Sequence, residues 1–428
     1  MTKLAILGGQ PVRADAAPIY NTIGAAEKRA VMEVLDSGEL SGFVAGATDQ
    51  FWGGKKVKAL ENAFKEYFNV KYAVAVNSAT SGLHAALSAA GVGPGDEVIT
   101  SPYTMAASAT SALMCGAVPI FADVEPETFC LDPASVESRI TDRTKAIVAV
   151  NIFGQAADLD ALFSLAEERK LCLIEDNAQA PGARYKGRYT GTVGHAGVFS
   201  FNRHKTMQSG EGGVIITNDE SLALRAAMMR NHGEVAVAGM GIADISNTVG
   251  LNYRMTEMEA AVAYEQFRKL DSLNYERIAL AEKLSVGLER ISGMRSPKLR
   301  EGADHVYYFY PILYDQTVTG IRRDWFVKAV QAEGFMLRAG YVRPIYLEPL
   351  YQQKICFGKH GYPFTANPRN QDIHYGRGLC PIAERLQDEE LLITNITYSP
   401  FTPADMELFV TACNKVLNCR DQVISHFT

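Results

Sequence analysis

Lys205 sits in the run Phe199-Ser200-Phe201-Asn202-Arg203-His204-Lys205, followed by Thr206-Met207-Gln208-Ser209-Gly210-Glu211-Gly212-Gly213. Upstream, the apolar stretch Leu171-Cys172-Leu173-Ile174 ends in Glu175-Asp176. A primary amine can hold an aldehyde covalently. A carboxylate at the end of a buried strand can keep a ring nitrogen protonated, so that the ring acts as an electron sink. Pyridoxal phosphate (PLP) needs both groups, and Ser200, five residues before the lysine, suits the same cofactor. A surface lysine and a turn aspartate are the commoner roles for such residues. Here, however, the lysine follows an apolar strand, and the glycines after it let backbone turn tightly or pass close to a ligand. An unpaired carboxylate on an apolar strand is costly, so Asp176 calls for a cation. Glu175 is the rival, but alternation along a strand points it to the opposite face.

A second signal is Asn77-Ser78-Ala79-Thr80-Ser81-Gly82, between an expected strand and an expected helix. Free N–H groups and the helix dipole favour an anion there. A plain Ser or Thr N-cap needs no ligand. The dipole contributes only about 0.3–1 kcal/mol, so a phosphate at this turn needs further donors.

Seven apolar runs read as buried strands: Tyr72–Val76, Val98–Thr100, Pro119–Val124, Ala146–Asn151, Leu171–Glu175, Val198–Phe201 and Val214–Thr217. Helical stretches such as Thr80–Ala90 and Leu159–Arg169 separate the early ones. This alternation predicts an α/β fold with a mostly parallel seven-stranded sheet between helices. Gly24–Leu35 reads as an amphipathic helix. A capping box at Thr256 and Glu259 opens a long helix toward Ile291. Beyond it, strand signals at Val306–Tyr314 and helices at Asp324–Glu333 and Pro403–Leu417 predict a smaller C-terminal α+β domain. The expected division is an N-terminal segment (1–50), a large PLP-binding domain (51–260), and a linker helix with the small domain (261–428). The turn-rich stretch Gln352–Asn370 reads as an exposed excursion that, with Arg343 nearby, could wall a wide polar pocket. Gly91-Val92-Gly93-Pro94-Gly95 is no dinucleotide loop, because it precedes a strand and lacks the third spaced glycine.

The net charge of −6 provides no broad basic field, which argues against a nucleic-acid partner. The seven cysteines are scattered with no CxxC pair, which predicts a reducing cytoplasm and no zinc site. No stretch approaches a membrane span. The opening Met1–Gly9 has too short an apolar run for a signal peptide.

Val57-Lys58-Ala59-Leu60-Glu61, Asn77-Ser78-Ala79-Thr80, Gly95-Asp96-Glu97-Val98, the Lys205 segment and Asn252-Tyr253-Arg254-Met255 follow one another in an order and spacing that is specific. Over nearly the whole chain this pattern resembles the DegT/DnrJ/EryC1/StrS sugar aminotransferases, which are fold type I, aspartate-aminotransferase-like PLP enzymes. The resemblance implies that Lys205 carries the cofactor and moves the proton. It implies that Asp176 meets the pyridine nitrogen and Gln179 lies beside the 3-hydroxyl. Ser78 with the backbone of Ala79 and Thr80, Ser200, and Asn252 reaching across from a second subunit would hold the phosphate. Alignment on Ala117-Val118-Pro119-Ile120 places Met105 where the family usually stacks an aromatic on the ring. A thioether packs there more weakly; Tyr103 is the alternative, and a core methionine is the plain reading. Asn231-His232-Gly233, His305, Tyr307 and Tyr308 match segments at the active-site mouth, with Arg254 and Arg343 as candidate anion contacts.

The implied activity is transfer of an amino group from L-glutamate or L-glutamine to a keto-sugar, nucleotide-linked or free, or to a keto-cyclitol. The implied enzyme is a cytoplasmic homodimer with shared active sites. The segment Cys380-Pro381-Ile382-Ala383-Glu384 looks most similar to members acting on keto-cyclitols or unusual keto-sugars. Three alternatives stay open. A sugar dehydratase of the same fold would carry histidine in place of Lys205, whereas here His204 stands beside the lysine. Another fold-type-I enzyme would differ in substrate. A non-enzymatic PLP-binding regulator would carry a fused DNA-binding segment.

Overall fold

The computed structural model describes residues 3–17 and 19–428. Met1, Thr2 and Pro18 lie outside the described residues, as therefore does the start of the opening run read above. The strands β1 (Tyr72–Val76), β2 (Glu97–Thr100), β3 (Val118–Phe121), β4 (Thr144–Val150), β5 (Cys172–Asp176), β6 (Ala196–Ser200) and β7 (Gly213–Thr217) form one sheet. Its order is β1-β7-β6-β5-β4-β2-β3. β7 runs antiparallel to both its neighbours, and every other pair is parallel. The seven expected strands are all present, with ends displaced by up to a few residues.

Side-chain alternation divides the core. On one face Val76, Val198 and Ile215 meet Leu83 and Leu87 of α1 (Ala79–Ala89) and Ala226 and Met228 of α2 (Glu220–Arg230). On the other, Ala75, Phe199 and Val214 meet Leu60 and Phe64 of the helix Lys55–Phe68 and Ala260 of α3 (Glu257–Phe267). The helix Ala25–Ser37 packs Ala30 and Val34 on Ala261.

The capping box is present: Glu259 N donates to Thr256 Oγ1 (3.2 Å) and Thr256 N to Glu259 Oε2 (2.9 Å). The expected single helix toward Ile291 is two. α3 stops at Phe267, and α4 (Leu270–Leu288) starts after a turn in which Lys269 N bonds Gln266 O. The turn is held from the N-terminal segment, where Gln266 Nε2 and Lys269 Nζ both donate to Thr22 O (2.9 and 3.0 Å).

A second, antiparallel sheet contains Met294–Arg295, Tyr310–Tyr314, Leu391–Thr394 and Arg338–Ala339, in that spatial order. Helices Arg323–Ala332 and Pro403–Asn418 pack on it with α4, and Leu4 of the N-terminal segment enters the same core. Residues 306–309 were expected in the strand but are drawn off it. Val306 N bonds Gly154 O (2.9 Å) and Tyr308 N bonds Phe153 O (2.7 Å). Gly154 permits this approach: at φ +104° it occupies the left-handed region, and a Cβ there would lie 2.8 Å from Tyr307 N.

The stretch Gln352–Asn370 is mostly exposed, as its composition suggests, but is anchored by a buried Phe364. Phe364 packs on Tyr351 and Tyr375, on either side of the stretch; these two rings meet Phe121, and Tyr375 Oη donates to Pro119 O (2.8 Å). The segment thereby covers β3, an edge strand that would otherwise be free to pair with another chain.

Candidate active site

Strand ends and one helix start converge on a cavity of about 360 Å³. Eight of the nine expected residues line it: Ser78, Ala79 and Thr80 at the start of α1, Met105 after β2, Asp176 and Gln179 at and beyond the end of β5, and Ser200 and Lys205 at and beyond the end of β6. This is where an open parallel sheet presents ligands, at the carboxyl ends of its strands. The glycine run after Lys205 brings the two halves together. β7 begins at Gly213, where a Cβ would stand 2.8 Å from Ala79 N and 2.9 Å from Ser78 C, so only glycine allows the lysine loop to lie against the α1 turn.

Asp176 is 5 % exposed, and among the described residues its carboxylate accepts two hydrogen bonds, from Ser108 Oγ to Oδ2 (2.7 Å) and from Ala178 N to Oδ1 (3.2 Å). Burial raises its pKa above the usual carboxylate range, against the pull of the Ser108 hydroxyl and the Lys205 ammonium. Burial likewise pushes Lys205 down from 10.5 to about 8, while Asp176 pulls the other way. Each group's burial thus disfavours its charge. A cationic ring nitrogen beside Asp176 removes that penalty, and an amine near neutrality can be a nucleophile and a base. Lys205 Nζ lies 4.4 Å from the centre of the Tyr308 ring.

Glu175 is excluded as the rival. It accepts from Gly191 N (2.6 Å), Val193 N and Gly194 N (both 2.8 Å), and Asn151 Nδ2 (3.0 Å), and so locks a buried loop on the far face. Tyr103 is excluded as a stacking ring: it is fully buried, donates to Gln387 Oε1 (3.0 Å) and accepts from Tyr341 N (3.0 Å). Met105 instead borders the cavity and is 62 % exposed.

Gln179 Oε1 accepts from Phe153 N (2.8 Å) and Nε2 donates to Tyr341 Oη (3.2 Å), which fixes the amide at the cavity wall. Ser78 caps α1, its Oγ accepting from Ser81 N (3.1 Å). The cap occupies the hydroxyl but leaves the first N–H groups of the helix free for an anion. Ser200 lines the cavity, and its Oγ accepts from Asn202 N (3.3 Å). A free helix start, a serine, an under-paired buried carboxylate and a lysine poised near neutrality fit PLP.

Asn252 alone is not brought in. It is exposed, and its Oδ1 accepts from Arg254 N (3.4 Å). Within one chain it makes no part of the cavity wall.

The cavity shares His204, Tyr308 and Tyr341 with a wider cleft of about 700 Å³, whose other walls include Tyr20, Arg203, Arg277, Arg338, Asn395 and Tyr398. Neither Arg254 nor Arg343 lines it, and the turn-rich stretch 352–370 is not one of its walls. His305 is also turned away: it is buried, stacked on Tyr307 at 3.9 Å, and its Nδ1 accepts from Tyr307 N (2.9 Å). Asn231 donates to the carbonyls of Val44 and Phe51 (both 3.1 Å), which is a structural role. Sequence reasoning missed Ser108, Tyr341 and Arg277. Ser108 carries no sequence mark, one serine among several small residues in a helix. Tyr341 and Arg277 reach the site only through the packing of distant segments.

The family model of the DegT/DnrJ/EryC1/StrS aminotransferase family matches residues 23–391. The chain is similar to the L-glutamine:2-deoxy-scyllo-inosose aminotransferase of Streptomyces lividus, with 38% identity over 359 residues, 81% of this chain and 83% of the relative. Its fold is similar to that of DesI, solved in the presence of its TDP-sugar product, with a TM-score of 0.82 and 27% identity over 99% of each chain. It is also similar to NtdA of Bacillus subtilis, solved with bound pyridoxamine phosphate (PMP), with a TM-score of 0.77 and 25% identity over 95% of this chain and 86% of that one. On the strength of the family match, the sheet topology and a cavity that fits the cofactor, the chain belongs to the DegT/DnrJ/EryC1/StrS family and is a fold-type-I, PLP-dependent aminotransferase.

Proposed function

We propose that the protein moves an amino group from L-glutamate or L-glutamine to a polar cyclic ketone, a keto-sugar (nucleotide-linked or free) or a keto-cyclitol. The bound cofactor would supply an electron sink beside the carbon that loses or gains the amine. In this reading Lys205 Nζ would hold the cofactor through its aldehyde and, once displaced, would move the proton at the carbon that loses or gains the amine. Asp176 holds a proton on the ring nitrogen, and Ser108 orients its carboxylate. Gln179 positions the ring through its fixed amide. The N–H groups of Ala79 and Thr80, with Ser78 and Ser200, bind the phosphate, and Met105 packs on the ring. Asn252 completes the phosphate site from a second subunit, so the working unit is a homodimer. Residues 1–50, 51–260 and 261–428 serve as N-terminal segment, PLP-binding lobe, and linker helix with small lobe. The enzyme works in the cytoplasm, in keeping with seven scattered cysteines and no CxxC pair. No helix among the described residues is long and apolar enough to cross a membrane.

The observation that carries the acceptor class is the wide cleft joined to the cavity through Tyr308 and Tyr341, whose walls include the hydrogen-bonding side chains of Arg203, Arg338 and Asn395. A small 2-oxo acid finds few contacts in such a space. A ring bearing several hydroxyls is discriminated by hydrogen bonds more sharply than by apolar contact. The test is to convert the enzyme to its PMP form and follow return of the aldehyde form with a panel of ketones. Keto-cyclitols or keto-sugars should restore it quickly. Efficient return with pyruvate or oxaloacetate, and none with cyclic ketones, would make this a general amino-acid aminotransferase.

A further inference from the structure

Arg277, on α4, is 3 % exposed and lines the cleft beside the cavity. Its side chain's one hydrogen bond among the described residues is a long one, from Nη1 to Tyr307 O at 3.4 Å. Its Nε is buried and has no partner. No carboxylate of the described residues pairs with it. The guanidinium instead lies over two tyrosine rings, 5.1 Å from the centre of Tyr20 and 5.4 Å from that of Tyr398. Those rings meet edge to face at 4.8 Å. Tyr20 Oη donates to Thr206 O (2.6 Å), the residue after Lys205, so the arginine is tied closely to the lysine loop. Tyr308 is the wall between them, with Lys205 over its face.

A buried guanidinium with a free N–H edge is costly to leave unpaired and calls for an anion. Cation–π contact with two rings offsets part of the cost but satisfies none of its N–H donors. The planar fork matches a carboxylate two oxygens to two N–H groups. A diphosphate, larger and more strongly hydrated, is better suited to the exposed Arg203 and Arg338 at the outer wall of the same cleft.

We propose that Arg277 is the residue that holds a carboxylate of the amino-acid donor while its amine is presented to the cofactor beside Lys205. This rests on the aminotransferase reading above. It makes the cleft serve both half-reactions in turn: the donor's carboxylate pairs with Arg277 and leaves with the oxo acid, after which the cyclic ketone enters without needing that pair.

The experiment is single-turnover conversion of the PLP holoenzyme to the PMP form, for wild type, R277Q and R277K, with L-glutamate and with L-glutamine. R277Q should raise the donor concentration at half-maximal rate about 100-fold, as loss of a buried charge partner does. R277K should recover part of that loss, because it keeps the charge but not the fork. The reverse half-reaction, PMP enzyme with a cyclic ketone, should change less than about threefold, a difference of under about 0.7 kcal/mol. Loss with both donors identifies the α-carboxylate; loss with L-glutamate alone identifies the distal one. As a binding readout, glutarate should raise the melting temperature of wild-type holoenzyme and not that of R277Q. Should R277Q not fold, R277K alone decides, with an expected rise of about tenfold in donor requirement. Unchanged donor kinetics in a folded variant, or a loss confined to the ketone half-reaction, overturns the proposal. If wild type itself accepts no amino acid, the aminotransferase reading fails instead, before Arg277 is tested.

Discussion

Lys205 and Asp176 each disfavour their charge in the cavity, the lysine lowered to about 8 and the aspartate raised, both chiefly by burial. A lysine with this pKa is half neutral near pH 8, where an ordinary one is almost wholly protonated. Capture of added PLP by the apoenzyme should therefore accelerate as pH rises through about 8 and then level off, as followed by absorbance. Because the Asp176 charge props up the lysine's pKa, D176N should move that midpoint lower; an unmoved midpoint would mean that Asp176 carries no charge there. With cofactor bound, D176N should keep the fold but turn over about 100-fold slower or worse, as when a preorganised electrostatic contact is removed. K205A should bind PLP without catalysing repeated turnover, and normal turnover in it would remove Lys205 from the chemistry. These two residues were legible because each follows its own apolar strand, a local pattern. Arg277 and Tyr341 were not, because what makes them cleft residues is the approach of α4 and residues 338–342 to a loop more than sixty positions away.

At the scale of elements, β5 shows how one strand divides its labour. Asp176 faces the cavity, and Glu175 gathers three backbone N–H groups and Asn151 on the other side. E175Q places an amide N–H₂ against buried donors and should cost about 3 kcal/mol or more in denaturant unfolding, with the absorbance of bound PLP unchanged in the folded protein. A smaller effect is expected at the capping box, where T256A should cost about 1 kcal/mol without changing turnover. The strands were legible because buried parallel strands are short continuous apolar runs. The break between α3 and α4 was not: Arg268 and Lys269 are good helix formers, and the stop is imposed by Thr22, about 250 positions earlier. The coverage of β3 by Tyr351 and Tyr375 was hidden for the same reason, since turn-rich composition does not say which strand a loop and its flanks lie against.

For the whole molecule, Met105 borders the cavity yet is 62 % exposed, and Asn252 is exposed and does not line the cavity of its own chain. A second subunit would cover the first and receive the second. N252A should weaken PLP binding, and mixing inactive K205A with damaged N252A subunits should restore one intact site per heterodimer. Full activity in a monomer, established by sedimentation at assay concentration, would contradict the shared site. The central claim, that the amine of an amino acid ends on a polar ring, is met most directly by isotope transfer. L-Glutamine labelled with ¹⁵N at its α-amine would be incubated with holoenzyme and a keto-cyclitol or keto-sugar, and the products read by mass spectrometry. The account predicts one ¹⁵N on the ring product, with the oxo acid released in equal amount, and neither with K205A. A ring product that has lost water but gained no nitrogen, or label that stays with the amino acid, would contradict it.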